Sequence, residues 1–253
     1  MKDKKYNYIL EKPIKTNIGY FYPIEVGNHD EFEEFGGVAG LDRVALINYF
    51  KNLVIENNQF QPFLDIVEEL DMLNFIKFCG ASEYDGSFLS NLHKQYVDLF
   101  KFCTKCDNNI IFYLIETDEE FQQYLNLIRE MNGIRYEATN PNPEIERRNQ
   151  LTRKLESMRN ENIDFESMFT SACVGLKKLP HEINKVSLYA FYKLFGRVGQ
   201  FKNYNTSVLF STVSTEAKIE PWYKSDVIHK NENYITEDQL NRAVNLGELQ
   251  NDL

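Results

Sequence analysis

This chain of 253 residues is acidic, with a formal net charge of −10 and a pI near 5.0, and 14% of its residues are aromatic. The aromatic content excludes an intrinsically disordered protein, because such a chain has apolar surface to bury. The length fits one large domain or two small ones. The net charge argues against general binding of nucleic acids or anionic membranes.

The cellular compartment follows from what the sequence lacks. It has no run of 18 apolar residues, and its N-terminus "MKDKKYNYILEKPIK" has no continuous apolar region of the kind that secretion signals carry. Four cysteines are too few for a secreted disulfide scaffold. We therefore expect a soluble protein that stays in a reducing cytoplasm.

The first elements in chain order have the alternating pattern of strands. Residues 6–11 and 18–26 flank residues 12–17, whose proline and asparagine suit a turn. The pattern predicts an N-terminal β-hairpin.

Helical periodicity follows the hairpin. The first predicted helix begins at Asn28 or Asp30. Further helices are predicted over about 41–56, 62–79 and 87–103. Pro62 suits the first turn of the third helix, and Gly80 suits the position just past its end.

The segment "NIIFYLIE" (109–116) is short and rich in β-branched and aromatic residues, which favours a strand. A helix over 117–133 follows, with Thr117 or Asp118 as its cap, Glu120 at capping-box spacing and Gly133 at its end. Residues 134–139 suit a partner strand. Together they predict a small strand–helix–strand insert around 109–139.

The segment "NPNPEIERRNQ" (140–150) is the best candidate for a linker, and 144–160 is polar nearly all round, which is typical of a solvated or bridging helix. Asp164 caps a helix over about 164–176, and a short helix is expected after Thr236. These boundaries divide the chain into 1–139, 140–160 and 161–253, or leave it as one domain whose C-terminal region packs back on the first. The predicted fold class is α+β and predominantly α-helical.

Motifs that carry chemistry are missing. The sequence has no phosphate-binding loop, no dinucleotide fingerprint, no nucleophile elbow and no zinc-protease or EF-hand motif. Adjacent carboxylates such as Glu33 and Glu34 point about 100° apart on a helix, so they do not form an acid/base pair. We predict that the protein is not an enzyme and that it uses no metal and no cofactor.

The spacing "CTKC" (103–106) is the one feature with metal or redox character. A structural zinc site usually needs a second such pair, and this chain has none. A thioredoxin-like motif opens a helix after a strand, whereas this one closes a predicted helix before a strand. Two ordinary half-buried cysteines are the favoured interpretation, and an oxidant-sensitive pair of Cys103 and Cys106 is the alternative.

The stretch 177–205 contains a helix that begins at Leu188, with Ser187 as its cap and an apolar stripe along it. Its basic residues do not separate from the apolar side, and the protein as a whole is acidic. A nucleic-acid-binding helix is therefore disfavoured. A core helix is the first interpretation, and a helix edge that faces a partner is the second.

Charge is unevenly distributed along the chain. Residues 28–85 hold twelve acidic and three basic side chains, whereas 177–202 hold six basic and one acidic. We expect the basic stretch to complement the acidic one within the same protein.

Several segments resemble proteins from the tail-assembly regions of tailed bacteriophages of Gram-positive hosts. The similar segments are "IGYFYPIEVGNHDEFEEF", "TDEEFQQYLNLIREMNGI" followed by "NPNPEIERR", "HEINKVSLYAFYKLFGRVGQFKNYN" and "EPWYKS". The resemblance covers about residues 17–229. Ser187 stands where threonine is usual in these proteins, which keeps the capping hydroxyl.

The resemblance implies a non-enzymatic tail assembly factor, a chaperone that binds the helical tape-measure protein before assembly. An acidic, aromatic-rich helical protein suits the binding of amphipathic helices. The predicted partner-binding residues are Tyr189, Tyr192, Arg197 and Trp222. The partner is expected to be a phage tail protein, with no nucleic acid and no membrane, in the host cytoplasm.

Two alternatives remain open. The chain can be a structural tail or baseplate component, in which case it belongs to the virion. It can also be a regulatory or anti-defence protein that binds a host factor.

Overall fold

The computed structural model describes residues 8–56, 60–81, 88–134, 136–159 and 163–214. These residues belong to two compact units. The larger comprises the described residues up to Tyr136 together with those from Asp164 onward, and the smaller comprises those between Glu137 and Ile163. The predicted short helix after Thr236 lies outside the described residues.

The predicted N-terminal β-hairpin is confirmed, with its second strand inside the predicted segment 18–26 and its first strand elsewhere. Strands β1 (Ile14–Thr16) and β2 (Gly19–Phe21) are antiparallel, with Ile14 opposite Phe21. Gly19 has φ +134°, a conformation that glycine tolerates at the exit of this tight turn.

The prediction of a first strand over 6–11 is wrong for its described residues. Residues 8 and 9 are helical, and β1 lies inside the segment predicted as the turn. The reason is long-range packing. The Tyr8 ring meets Tyr189 edge-on at 5.7 Å between centroids, and the Tyr8 hydroxyl donates a hydrogen bond to Glu130.

The segment after β2 runs extended between distant parts of the chain. The Tyr22 amide donates to the Cys103 carbonyl, and the Ile24 amide donates to the Asn132 side chain, both at 2.8 Å. The Leu188 amide in turn donates to the Ile24 carbonyl at 2.8 Å. The backbone groups of this segment are thereby satisfied, partly through one antiparallel β-bridge between Glu25 and Ser187.

Four helices and two 3-10 turns form the next layer. A 3-10 turn over Val26–Asn28 leads into α1, and another over Gly37–Gly40 separates α1 from α2. The helices are α1 (His29–Gly36), α2 (Arg43–Glu56), α3 (Gln61–Glu69) and α4 (Met72–Ala81). The single helix predicted over 62–79 is therefore two helices, and Gly80 lies inside the second. The Asp71 side chain accepts from the Asn74 amide at 2.8 Å and starts α4 as a new helix.

Helix α5 (Phe88–Thr104) is followed by the short helix α6 (Ile110–Tyr113) and by α7 (Asp118–Asn132). The predicted strand–helix–strand insert around 109–139 is wrong, because 109–116 holds α6 and the described residues of 134–139 form no strand. The apolar side chains of this segment are buried by helices: Phe112 is fully buried against Phe100 and Phe121. A helical turn buries such side chains as well as a strand does, and the described residues around it offer no strand to pair with.

The predicted ends of α7 are confirmed. The Glu120 amide donates to the Thr117 hydroxyl at 3.2 Å, and Gly133 closes the helix with φ +67°. Both features are local, and the sequence pattern identified them.

The smaller unit holds helix α8 (Pro143–Arg159). The Glu146 carboxylate accepts from the Asn140 amide at 2.9 Å, and Arg153 pairs with Glu137 at 2.7 Å. Leu151 and Leu155 are exposed on this helix.

Helices α9 (Phe165–Leu176), α10 (Pro180–Ile183) and α11 (Leu188–Ser211) complete the larger unit. The predicted caps are confirmed: the Asp164 carboxylate accepts from the Ser167 amide, and the Ser187 hydroxyl accepts from the Ala190 amide. Helix α11 has 24 residues, which corresponds to a length of about 36 Å.

The core of the larger unit is aromatic. Phe21, Phe100 and Phe121 are fully buried. The centroid of the Phe100 ring lies 6.0 Å from that of Phe21 and 5.9 Å from that of Phe121. Edge-to-face and offset pairs of this kind stabilise a core beyond the burial of their area.

The described structure is mostly helical with one N-terminal hairpin, so the predicted α+β, predominantly α-helical class is confirmed. Among the described residues, no helix combines the length and the apolar character that a membrane span requires.

Candidate partner-binding surface on helix α11

The first turn of α11 belongs to the core. Leu188, Tyr189 and Phe191 are buried, and the Phe191 ring lies 5.5 Å from Phe165 of α9. The His29 ring of α1 stacks on Phe165 at 3.6 Å. The helix is thus held at its N-terminal end by α9, with α1 behind it.

Tyr189, one of the predicted partner-binding residues, is 8% exposed. Its ring packs against Tyr8, and the Lys193 ammonium lies 5.9 Å from its centroid. Burial and the charge of Glu130 raise the pKa of Tyr189. Little of this side chain is left for a partner, and its contacts hold α11 on the core.

Tyr192, the second predicted residue, is partly exposed. Its ring lies beside Phe191 and next to Gly133, at which an added Cβ would meet the Tyr192 ring at 3.6 Å. Burial, followed by the charge of Glu33, raises the pKa of Tyr192.

Arg197 is half-buried on α11 and donates a hydrogen bond to the Gln200 side chain at 2.8 Å. Trp222 lies outside the described residues. The structure therefore brings Tyr189, Tyr192 and Arg197 together on one helix within two to three turns.

Beyond its first turn, α11 differs sharply in burial from the core-facing residues 188–191. No described residue from Tyr192 to Ser214 is buried, although several are large and apolar. Leu209 is 70% exposed, Phe210 is 60% exposed and Val213, just past the helix, is 81% exposed. We call these three residues together with Leu194 and Phe201 the distal apolar face of α11.

Spacing places much of this face on one side of the helix. Leu194 and Phe201 are seven residues apart, and Leu209 lies eight residues further, which keeps the three within about 80° of one another. Single exposed apolar residues are ordinary on a protein surface, whereas a contiguous set marks an interaction site.

The sequence pattern did not identify Leu209, Phe210 and Val213 as exposed apolar residues. The available signal was the run "VLF" (208–210) beyond the end of the stripe that the periodicity picked out. Periodicity identified the helix but did not show that only its first turn is buried.

The cysteines of "CTKC" occupy different environments. Cys103 is buried at the end of α5, and burial raises the pKa of its thiol, whereas Cys106 is half-buried. A protonated, buried thiol is a poor nucleophile. Across the described ranges, no three or more His, Cys, Asp and Glu side chains are grouped so that they could hold a metal ion.

The chain is similar to the SPbeta prophage-derived uncharacterized protein YomV of Bacillus subtilis (strain 168). The two are 23% identical over 234 residues, which cover 92% of this chain and 93% of that protein. No protein-family model matches the chain. No solved structure matches it significantly. The likeness along nearly the whole chain supports a phage origin.

Proposed function

We propose that this protein is a non-enzymatic phage assembly factor, a chaperone that binds an amphipathic helix of a phage tail protein before assembly. The observation that carries the proposal is the distal apolar face of α11, which has no buried residue while Leu209, Phe210 and Val213 are mostly exposed. The similarity to a prophage-derived protein supports the phage context.

The partner's form follows from the shape and chemistry of this face. A helix about 36 Å long with an apolar side matches another helix that has apolar residues at three- and four-residue spacing. A tape-measure protein, which is a long apolar helical chain before assembly, has such helices. Covering them would keep the tail protein in solution until it is assembled.

The test uses as the client a long helical tape-measure protein encoded by the same phage genome as this chain. Co-expression with the wild-type chain is expected to raise the soluble amount of the client and to give a joint peak on size exclusion. The triple variant Leu209→Ser/Phe210→Ser/Val213→Ser is expected to lose both effects, because it removes the apolar contact area.

The matched control is Ile55→Ser/Ile110→Ser/Leu114→Ser, which removes three exposed apolar side chains away from α11. It should retain the complex. Equal loss in both triples, or no complex with the wild-type chain, would contradict the proposal.

Mass spectrometry of purified virions separates the proposal from the structural alternative. A chaperone is expected to be absent or present in traces. Stoichiometric amounts in the particle would instead identify a tail or baseplate component. A gene located outside the tail operon would favour the regulatory or anti-defence alternative.

A further inference from the structure

A cleft of about 570 Å³ lies in the larger unit, and none of its lining residues belongs to α11. Its walls are the extended segment after β2, helix α1 and the C-terminal end of α5. The segment "YPIE" (22–25), which the resemblance singled out, forms one wall. The volume lies within the range of about 300–1,000 Å³ that is usual for ligand pockets.

The floor of the cleft is aromatic and held in place. Tyr22, Phe35 and Phe102 line it, and the Phe35 and Phe102 rings lie 5.1 Å apart in an edge-to-face pair. The backbone beside Tyr22 is fixed by its hydrogen bond to the Cys103 carbonyl at 2.8 Å. A preformed floor of this kind lowers the ordering cost of binding an apolar side chain.

The rim of the cleft is acidic. Two ammonium groups, those of Lys101 and Lys105, line the cleft together with five carboxylates. The carboxylates are those of Glu25, Glu31, Glu34, Asp98 and Asp107. None of these five forms an ion pair with another described residue. Helix α5 also ends here, and the C-terminal end of a helix carries a partial negative charge. Both contributions favour a cation in the cleft.

One cation of the protein already occupies this environment. The Lys105 ammonium lies 4.9 Å from the centroid of the Tyr22 ring. Lys105 follows the last residue of α5 and has a left-handed backbone conformation, with φ +53°. The contact demonstrates that the wall accepts an ammonium over an aromatic face, which is a favourable cation–π arrangement.

We propose that this cleft binds an extended, lysine- or arginine-bearing segment of a protein partner. Apolar side chains of the segment would lie on Tyr22, Phe35 and Phe102, and its cationic groups would meet the carboxylates of the rim. An extended chain directs successive side chains to opposite sides, which suits a floor and a rim of different chemistry. Anionic partners are repelled by the same rim. The site does not depend on the proposed function, because it uses none of the residues of α11.

The probe is a fluorescent hexapeptide that alternates lysine and leucine, titrated with the full chain in a fluorescence-polarisation experiment. A hexapeptide that alternates glutamate and leucine is the charge control. We expect saturable binding of the basic peptide and at least about tenfold weaker binding of the acidic one, since like charges face each other in the second case.

Two triple variants locate the binding. Glu31→Gln/Glu34→Gln/Asp98→Asn is expected to weaken binding of the basic peptide by about tenfold, because three rim charges are removed. The matched variant Glu119→Gln/Glu144→Gln/Glu166→Gln changes the net charge equally at exposed positions outside the cleft. It should change the affinity by less than about twofold at physiological ionic strength, at which distant surface charges are screened.

A third variant is expected to change the affinity for the basic peptide in the opposite direction. Lys101→Gln removes a cation from the cleft, so we expect it to strengthen binding of the basic peptide by about threefold. A gain of affinity cannot arise from misfolding. Circular dichroism melts of the other variants establish that they are folded at the temperature of the titration.

Three results would overturn the inference. They are equal weakening by both triple variants, equal binding of the acidic and basic peptides, and unchanged or weaker binding by Lys101→Gln. Spermidine serves as a competitor: if it displaced the peptide at equal ammonium concentration, the cleft would be a polyamine site and not a peptide site.

Discussion

Arg129 is a buried arginine that the sequence pattern did not single out. It is 4% exposed on α7, and its guanidinium donates to the backbone carbonyls of Ala39 and Leu41 in the turn before α2. It also lies 3.7 Å from the centroid of the Tyr136 ring. Burial lowers the pKa of Arg129, and its planar donor group connects α7 to the turn before α2.

Replacing this side chain is expected to be costly. Arg129→Met removes the donors and leaves one buried and one half-buried carbonyl without them, so we predict a loss of about 3 kcal/mol in the free energy of unfolding. Arg129→Lys keeps the charge but not the planar fork, and it should lose more than half as much. Urea denaturation followed by circular dichroism measures both values.

The control for this prediction is Arg147→Met at an exposed position of α8. It should change the free energy of unfolding by less than about 0.5 kcal/mol. A loss of under about 1 kcal/mol for Arg129→Met would mean that the turn finds other donors.

At the scale of elements, α9 and α11 approach each other closely at Gly175. A Cβ added to Gly175 would lie 2.3 Å from Cγ1 of Val198, a distance that requires the helices or the valine to shift. Val198 is β-branched, so its side chain has few alternative rotamers in a helix. This contact and the Phe191 cluster together hold the first half of α11 on α9.

The same substitution at two glycines tests this contact. Gly175→Ala is expected to lower the free energy of unfolding by about 1–2 kcal/mol, because overpacking outweighs the better helix propensity of alanine. Gly199→Ala, at which an added Cβ meets nothing within 4 Å, should raise it by up to about 1 kcal/mol.

The variant Val198→Ala provides the room that Gly175→Ala needs. In that background Gly175→Ala is expected to become neutral or stabilising, which a double-mutant cycle measures as a coupling energy. Additive effects of the two substitutions would disprove a direct contact.

At the scale of the whole molecule, the unequal charge distribution spans distant stretches of one unit. The acidic stretch 28–85 and the basic stretch 177–202 both belong to the larger unit. Their mutual attraction remains a prediction. In that interpretation the basic charge of α11 stabilises the fold, and binding of a nucleic acid is not needed to explain it.

Charge reversal tests the attraction. Lys185→Glu/Lys202→Glu changes two exposed residues of the basic stretch and is expected to lower the free energy of unfolding by about 1 kcal/mol at low salt. In 0.5 M NaCl the loss should shrink, because surface charges are screened within a few ångströms.

The control is Lys12→Glu/Lys15→Glu, which reverses two exposed charges outside both stretches. It should have a smaller effect on stability. If both double variants destabilise the protein equally, then the net charge matters and the two stretches do not specifically attract each other.

Local sequence patterns were sufficient to predict where several helices begin and end. Thr117, Asp164 and Ser187 cap their helices as predicted, and Gly133 ends α7. A capping hydrogen bond joins residues three apart, so a short window of sequence contains both partners. The predominantly helical class follows from the same kind of short-range periodicity.

The conformation of residues 109–116 and the burial of α11 depend on long-range packing. Residues 109–116 have the composition of a strand, yet Phe112 is buried by α5 and α7 and the segment turns as a helix. Apolar residues recur along the length of α11, but only its first turn is buried against α9 and its neighbours, and Leu209 and Phe210 remain exposed. Which apolar face is covered depends on partners more than one hundred residues away in some cases, such as Tyr8 on Tyr189, and no local window contains them.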